Sequence, residues 1–299
     1  MRREDVFVSP QWLAERLGLA NRFGLAERLA QPDVVAVDGS WYLPTMLKDG
    51  APRNGRAEYE AGHIQGAVFF DLDAVSDQAS DLPHMMPGPV QFSSAMRRLG
   101  IADGHTLVVY DGAGLFSAPR VWWMLKSMGA RQVFLLDGGL PGWIEAGLPL
   151  SDEPVKRAPS HFSARVDASV IADMDSVARA LDNGSASVID ARPTPRFEGS
   201  VPEPRPGLRA GHMPGARSMP FTDLIEDGRL KSVAALETLF AEKGIDRAAP
   251  IITSCGSGVS AVTLALALQL AGARDVRIYD GSWAQWGGAP DKPVATGPA

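Results

Sequence analysis

Only one cysteine, Cys255, stands among the 299 residues of this chain. One thiol cannot close an internal disulfide, nor can it furnish a multi-cysteine metal site. The chain is therefore expected to work in a reducing, cytoplasmic setting and to need no metal. Basic charge is also scarce. Lys and Arg number 29 against 35 Asp and Glu, a net charge of −6, which is the wrong sign for holding a nucleic-acid backbone. No apolar run approaches the roughly 20 residues that span a bilayer, so no membrane partner is expected. The opening MRREDVFVSPQWL has two arginines with no apolar stretch behind them, unlike a secretory signal. What remains is the composition of a globular protein, with 45% hydrophobic and 21% charged residues. Its length exceeds what one core needs and favours two domains.

The chain repeats itself in order. VVAVDGSWYLP (34–44) resembles SVIDARPTPRF (187–197), and GHIQGAVFFD (62–71) resembles GHMPGARSMPF (211–221). TLVVYDGAGLFSAPRVWWML (106–125) resembles PIITSCGSGVSAVTLALAL (250–268), and VFLLDGGLPGWIEAG (133–147) resembles VRIYDGSWAQWGGA (276–289). The matched positions lie 152, 149, 144 and 143 residues apart. A drift that small marks a tandem duplication of a domain-sized unit.

Each unit alternates short apolar runs ending in a polar residue (VVAVD, TLVVYD and VFLLD; SVID, IIT and VRIYD) with helical patterns. Runs apolar on both faces suit parallel strands buried between helices. SPQWLAERL opens on a serine N-cap, and PVQFSSAMRRLG and SVAALETLFAEKG close on glycine. The expected fold class is α/β: two tandem domains, each a mainly parallel sheet covered by helices on both faces. The polar segment between them reads as a linker. The expected division is 1–150, a linker over 151–165, and 166–299. The tail GGAPDKPVATGPA is expected to fray.

Cys255 sits where a strand of the second unit runs into a loop and then a helix, and in open parallel sheets ligands bind beyond such strand ends. Gly256 and Gly258 would let the loop curl. Its N–H groups, next to a helix starting near Val259, favour an anion and hence the thiolate. A buried, inert core cysteine is the plainer alternative, but it needs no flanking glycines. The matching position in the first unit is Asp111. A phosphatase C-x5-R loop is excluded because Ala261, not arginine, stands six residues on. The other familiar use of such a loop is to carry a sulfane sulfur as a persulfide.

These features resemble the two-domain rhodanese-family sulfurtransferases, in which the first domain has lost its cysteine. The resemblance runs from about residue 5 to 288 and includes VDGSWYLP, FFDLD, LPHMMPG, SAPRVWWML, RFEGSVPEPRPGLRAGHMPGA and YDGSW. Thiosulfate sulfurtransferases typically carry a basic C-R-K-G-V-T loop, and 3-mercaptopyruvate sulfurtransferases carry C-G-[ST]-G-V-T. CGSGVS is of the second type, with Ser260 in place of threonine. Two rhodanese-like domains are thus implied, with the second one catalytic. The loop residues Gly256, Gly258, Val259 and Ser260 would face substrate.

The resemblance also maps substrate-binding arginines onto Arg196 and Arg205, whose forked guanidinium suits a carboxylate. Either could instead be a surface cation, or pair with Glu198 or Glu203. A serine, histidine and aspartate triad maps onto Ser257, His84 and Asp73, the last two from the first unit. That would place the site between the domains. His63 and His212 recur in both GH-x-x-GA turns and are expected to be structural, and Asp190 and Asp280 to brace loops. The paired tryptophans of VWWML are expected in the core and between domains.

The implied activity moves sulfur from 3-mercaptopyruvate to a thiol acceptor, such as thioredoxin or a small thiol, or to cyanide. It proceeds through a Cys255 persulfide, releases pyruvate, and needs no cofactor. Two alternatives stay open: a thiosulfate:cyanide sulfurtransferase, and a persulfide carrier with little turnover of small donors.

Overall fold

The computed structural model describes residues 1–19 and 33–298. It contains two five-stranded parallel sheets of the same design. The first is built from β1 (Phe7–Val8), β2 (Val34–Asp38), β3 (Val68–Phe69), β4 (Thr106–Tyr110) and β5 (Gln132–Leu136), in the spatial order β1-β5-β4-β2-β3. The second uses β6 (Ile171–Ala172), β7 (Ser187–Asp190), β8 (Arg217–Ser218), β9 (Ile251–Ser254) and β10 (Val276–Tyr279), in the order β6-β10-β9-β7-β8. The two orders are identical unit for unit, as a duplication requires. β4 and β9, the strands that lead to Asp111 and Cys255, are the central strands.

The helices are α1 (Pro10–Arg16), α2 (Gly55–Ala61), α3 (Leu72–Val75), α4 (Pro89–Arg98), α5 (Ala118–Ser127), α6 (Gly139–Glu145), α7 (Met174–Asn183), α8 (Thr194–Phe197), α9 (Val233–Glu242), α10 (Ser260–Leu270) and α11 (Ser282–Trp286). Ser9 caps α1 by accepting from the Trp12 N–H, and Ser232 caps α9 by accepting from Ala235. α4 and α9 are followed by Gly100 and Gly244 at positive φ, the left-handed exit that glycine allows.

α10 is apolar all round and nearly every residue in it is buried. It lies against the second sheet and against α5 of the first unit. A helix enclosed on all sides has no wet face to mark with charge. One continuous apolar cluster takes in residues of both units, among them Val121 and Leu125 of the first and Val262 and Leu266 of the second. Trp122 and Trp123 are buried, and both line a cavity between α5 and α10. No helix among the described residues is long and apolar enough to cross a membrane.

Residues 152–166 carry no helix or strand, yet they are tied to the first unit. Phe162 is buried against Phe92, and the Arg97 guanidinium donates to the Phe162 carbonyl. The expectation of a frayed tail is overturned. His212 and Ala295 exchange both backbone hydrogen bonds at 2.9 Å, and Trp286 Nε1 donates to the Pro293 carbonyl at 2.8 Å. The tail is anchored because Arg209 binds the carbonyls of Ala289 and Lys292, a pairing that composition does not reveal.

Candidate active site

The loop after β9 carries the cysteine. Cys255 is only 2% exposed. Gly258 adopts φ +76 and needs glycine. Gly256 does not have positive φ, so its reason differs from the expected one. A Cβ there would lie 2.9 Å from Arg196 Nη2, so Gly256 leaves room for that guanidinium. Ser282, at φ +47, turns its Oγ under the loop, where it accepts the N–H groups of Cys255 and Gly258, each at 3.1 Å. The N–H groups of Gly256, Ser257 and Val259 have no acceptor among the described residues.

The first unit shows what such a loop holds. The Asp111 carboxylate accepts the N–H groups of Ala113, Phe116, Ser117 and Ala118 at 2.7 to 2.9 Å. An anion therefore fills the curl of the first loop. Cys255 occupies the matching place in the second.

Three residues from both units meet beside Cys255. His84 Nδ1 lies 2.9 Å from Ser257 Oγ, and His84 Nε2 lies 3.0 Å from Asp73 Oδ1. A carboxylate only accepts, so Nε2 carries the proton and Nδ1 accepts from the Ser257 hydroxyl. Burial pushes the His84 pKa below its ordinary value of 6.5, partly offset by Asp73. The hydrogen bond from His84 holds the Asp73 carboxyl below the usual carboxylate range, against partial burial.

Trp41 completes the arrangement. Its Nε1–H donates to Asp73 Oδ2 at 3.1 Å, and its ring meets the His84 ring edge-on at 4.5 Å. Trp41 lies in the motif VDGSWYLP, which by itself gives it no role. Neither Arg120, a charge inside the otherwise apolar run APRVWWML, nor Ser282 stands out as a site residue in the sequence. Ser282 had a detectable signal, since its match in the repeat is Gly139, also at positive φ.

The two arginines differ. Arg196, on α8, pairs with Glu203 through Nε at 3.1 Å and Nη2 at 2.5 Å. This is the pairing that the sequence left open as an alternative, and Nη1 has no partner among the described residues. Glu203 also accepts from the buried Arg192 at 2.9 Å, and Arg192 pairs with Asp190. Those four charges cancel. Arg205 makes no hydrogen bond or ion pair among the described residues. Burial lowers its pKa, with the nearby Cys255 opposing that shift.

Arg205 lines a cavity of ≈ 400 Å³ with Asp73, Asp77, Asp81, Leu82 and His84, a size suited to a small ligand. A larger hollow of ≈ 710 Å³ around Arg247 and Arg274 holds none of these groups.

The remaining expectations can be placed as well. His63 and His212 each put Nδ1 on a backbone carbonyl, of Tyr59 at 2.8 Å and of Phe197 at 2.9 Å, and each stacks on that residue's ring. Both are turn-forming residues outside the cleft. Asp190 braces its own loop through Arg192, and Asp280 braces across the two units.

Comparison with known proteins identifies the family. The family model described as "Rhodanese-like domain" matches residues 53–146 and again 173–289. The chain is 43% identical over 270 residues to the 3-mercaptopyruvate sulfurtransferase of Escherichia coli K12, covering 90% of this chain and 95% of that protein. It is also 43% identical to the human 3-mercaptopyruvate sulfurtransferase over 282 residues, covering 93% of this chain and 91% of that protein. The crystal structure of an E. coli 3-mercaptopyruvate sulfotransferase superposes with a TM-score of 0.80 at 40% identity, covering 93% of this chain and 98% of that one.

Proposed function

The chain belongs to the rhodanese-like family, and on that premise we propose that it is a 3-mercaptopyruvate sulfurtransferase working through a Cys255 persulfide. One observation carries the reading. His84 bridges Ser257 and Asp73 across the two units, beside a cysteine loop that bears no cation of its own.

In this mechanism Arg205, with the open Nη1 edge of Arg196, holds the substrate carboxylate through charge-assisted hydrogen bonds. Their support is the unpaired Arg205 guanidinium at the cavity wall. The Cys255 thiolate attacks the substrate thiol sulfur. An S–S bond forms, the C–S bond breaks, and the electron pair leaves on the pyruvate enolate. The S–H proton passes from the persulfide through Ser257 and His84 to the enolate carbon, which gives pyruvate. Asp73 stabilises the transient imidazolium. The persulfide anion then rests against the N–H groups contributed by Gly256, Val259 and Ser260, while the Gly258 N–H stays on Ser282 Oγ. An acceptor thiolate or cyanide attacks the outer sulfur and returns the Cys255 thiolate. The acceptor in this proposal is thioredoxin or a small thiol, in the cytoplasm.

The same reading divides the chain at 1–150 and 166–299, with 151–165 as the linker. The N-terminal unit supplies His84 and Asp73, which explains why it persists without a cysteine.

A thiosulfate donor is less favoured, because a dianion calls for cations on the loop itself. A carrier that docks on partner proteins is less favoured because the Arg205 guanidinium at the cavity wall suits a small anionic donor. The test is kcat/KM for 3-mercaptopyruvate and for thiosulfate side by side, with cyanide as acceptor and Cys255→Ser as the blank. A large preference for 3-mercaptopyruvate, lost in the variant, is expected. A preference for thiosulfate would overturn the donor assignment, and negligible turnover of both would favour the carrier.

A further inference from the structure

Arg120 is a charge in an unexpected place. It lies on α5 of the first unit, is fully buried, and reaches into the second. Its Nη1 donates to Asp280 Oδ1 at 2.6 Å and to the Gly258 carbonyl at 3.3 Å, and its Nη2 donates to the His84 carbonyl. Asp280 Oδ2 accepts the Met86 N–H at 2.7 Å. One buried ion pair therefore grips the backbone of His84 and of the residue two positions on. It also grips the loop that carries Cys255 and Ser257.

His84 needs this grip. Its φ is +61, a conformation that residues with a side chain adopt only when their surroundings enforce it. The backbone from 85 to 88 is in no helix or strand. The matching aspartate of the first unit, Asp137, pairs with Arg3 at 3.1 Å in a partly exposed position. Bracing a strand-end aspartate therefore does not require a buried cation that enters the cleft.

We propose that Arg120, with Asp280, is a positioning residue for sulfur transfer. It holds the His84 imidazole against Ser257 without touching substrate. The inference rests on the functional reading above, because it concerns the same site.

The test is a double-mutant cycle with His84. In Arg120→Lys the charge stays, but a single ammonium cannot reach Asp280 and both carbonyls at once. A displacement of the reacting groups on the order of 1 Å lowers rates roughly 100-fold. Arg120→Lys is therefore expected to lower kcat about 10- to 100-fold, with KM for 3-mercaptopyruvate changed less than about threefold. On the His84→Ala background the same substitution should change kcat less than about threefold, since the two act through one imidazole. Circular dichroism at the assay temperature checks the fold, and Asp280→Asn is the second variant, with the same expected split.

A folded Arg120→Lys with wild-type kcat would overturn the inference. So would a loss that multiplies fully onto His84→Ala, or failure of both variants to fold, since the pair would then be an architectural bolt. If His84→Ala is slow while Arg120→Lys is fast, only this inference fails. If the wild type does not turn over 3-mercaptopyruvate, the functional reading fails and takes this one with it.

Discussion

Removing a single oxygen atom, in Ser257→Ala, tests the relay most directly. His84 presents Nδ1 to Ser257 Oγ at 2.9 Å and donates its Nε2 proton to Asp73. Burial keeps the imidazole neutral at pH 7 by pushing its pKa below 6.5, so it is ready to take a proton. Positioned proton transfer contributes roughly 10²- to 10⁴-fold. At 1.36 kcal/mol per decade that is about 2.7 to 5.4 kcal/mol of barrier. Ser257→Ala should therefore lower kcat by roughly 10² to 10⁴, measured as pyruvate release at saturating 3-mercaptopyruvate with cyanide as acceptor.

Three controls sharpen the result. Alkylation of Cys255 by iodoacetamide depends on the thiolate rather than on the relay and should stay within about threefold of wild type. The buried Nδ1 loses its partner, so stability to urea should fall by about 1–3 kcal/mol. The wild-type kcat should decline on the acid side below pH 6.5, where His84 takes up a proton and can no longer act as a base, and the variant should lose that limb. Folding is linked in the same direction. The folded His84 binds its proton less readily than the unfolded chain does, so stability falls as pH drops below 6.5 and levels off below the folded pKa. A folded Ser257→Ala with kcat within about threefold of wild type would refute the relay.

Two further outcomes are expected. Arg205→Ala should raise KM for 3-mercaptopyruvate about 10- to 100-fold by removing a charge-assisted contact, whereas an unchanged KM would leave the carboxylate to Arg196. Asp111→Ala should strip four N–H groups, three of them buried, of their acceptor. That should cost more than about 3 kcal/mol in urea unfolding with kcat kept, and a smaller loss would mean that water replaces the carboxylate.

Much of this site was legible in the chain because its parts lie in local motifs. A cysteine followed by two glycines at a strand end, matched by an aspartate in the other copy, needs no coordinates to be noticed. His84, Asp73 and Ser257 could be named from LPHMMPG, FFDLD and CGSGVS by resemblance, although nothing local says that they touch. Arg196 shows the opposite limit. Its motif marks it for substrate, yet Glu203 holds one edge of the guanidinium, because the chain leaves α8 after Phe197 and reaches Glu203 by a loop whose path no periodicity encodes.

The order of elements, the duplication and the place of Cys255 at a strand end were determined by the sequence alone, since apolar runs and turn residues act over a few positions at a time. The tertiary structure alone decided the rest. Residues 173 apart share a hydrogen bond in the cleft, and Arg120 spans 160 residues to find Asp280. Such contacts arise from packing two cores against each other, where a buried charge must find its partner across the interface or remain unpaired at high cost.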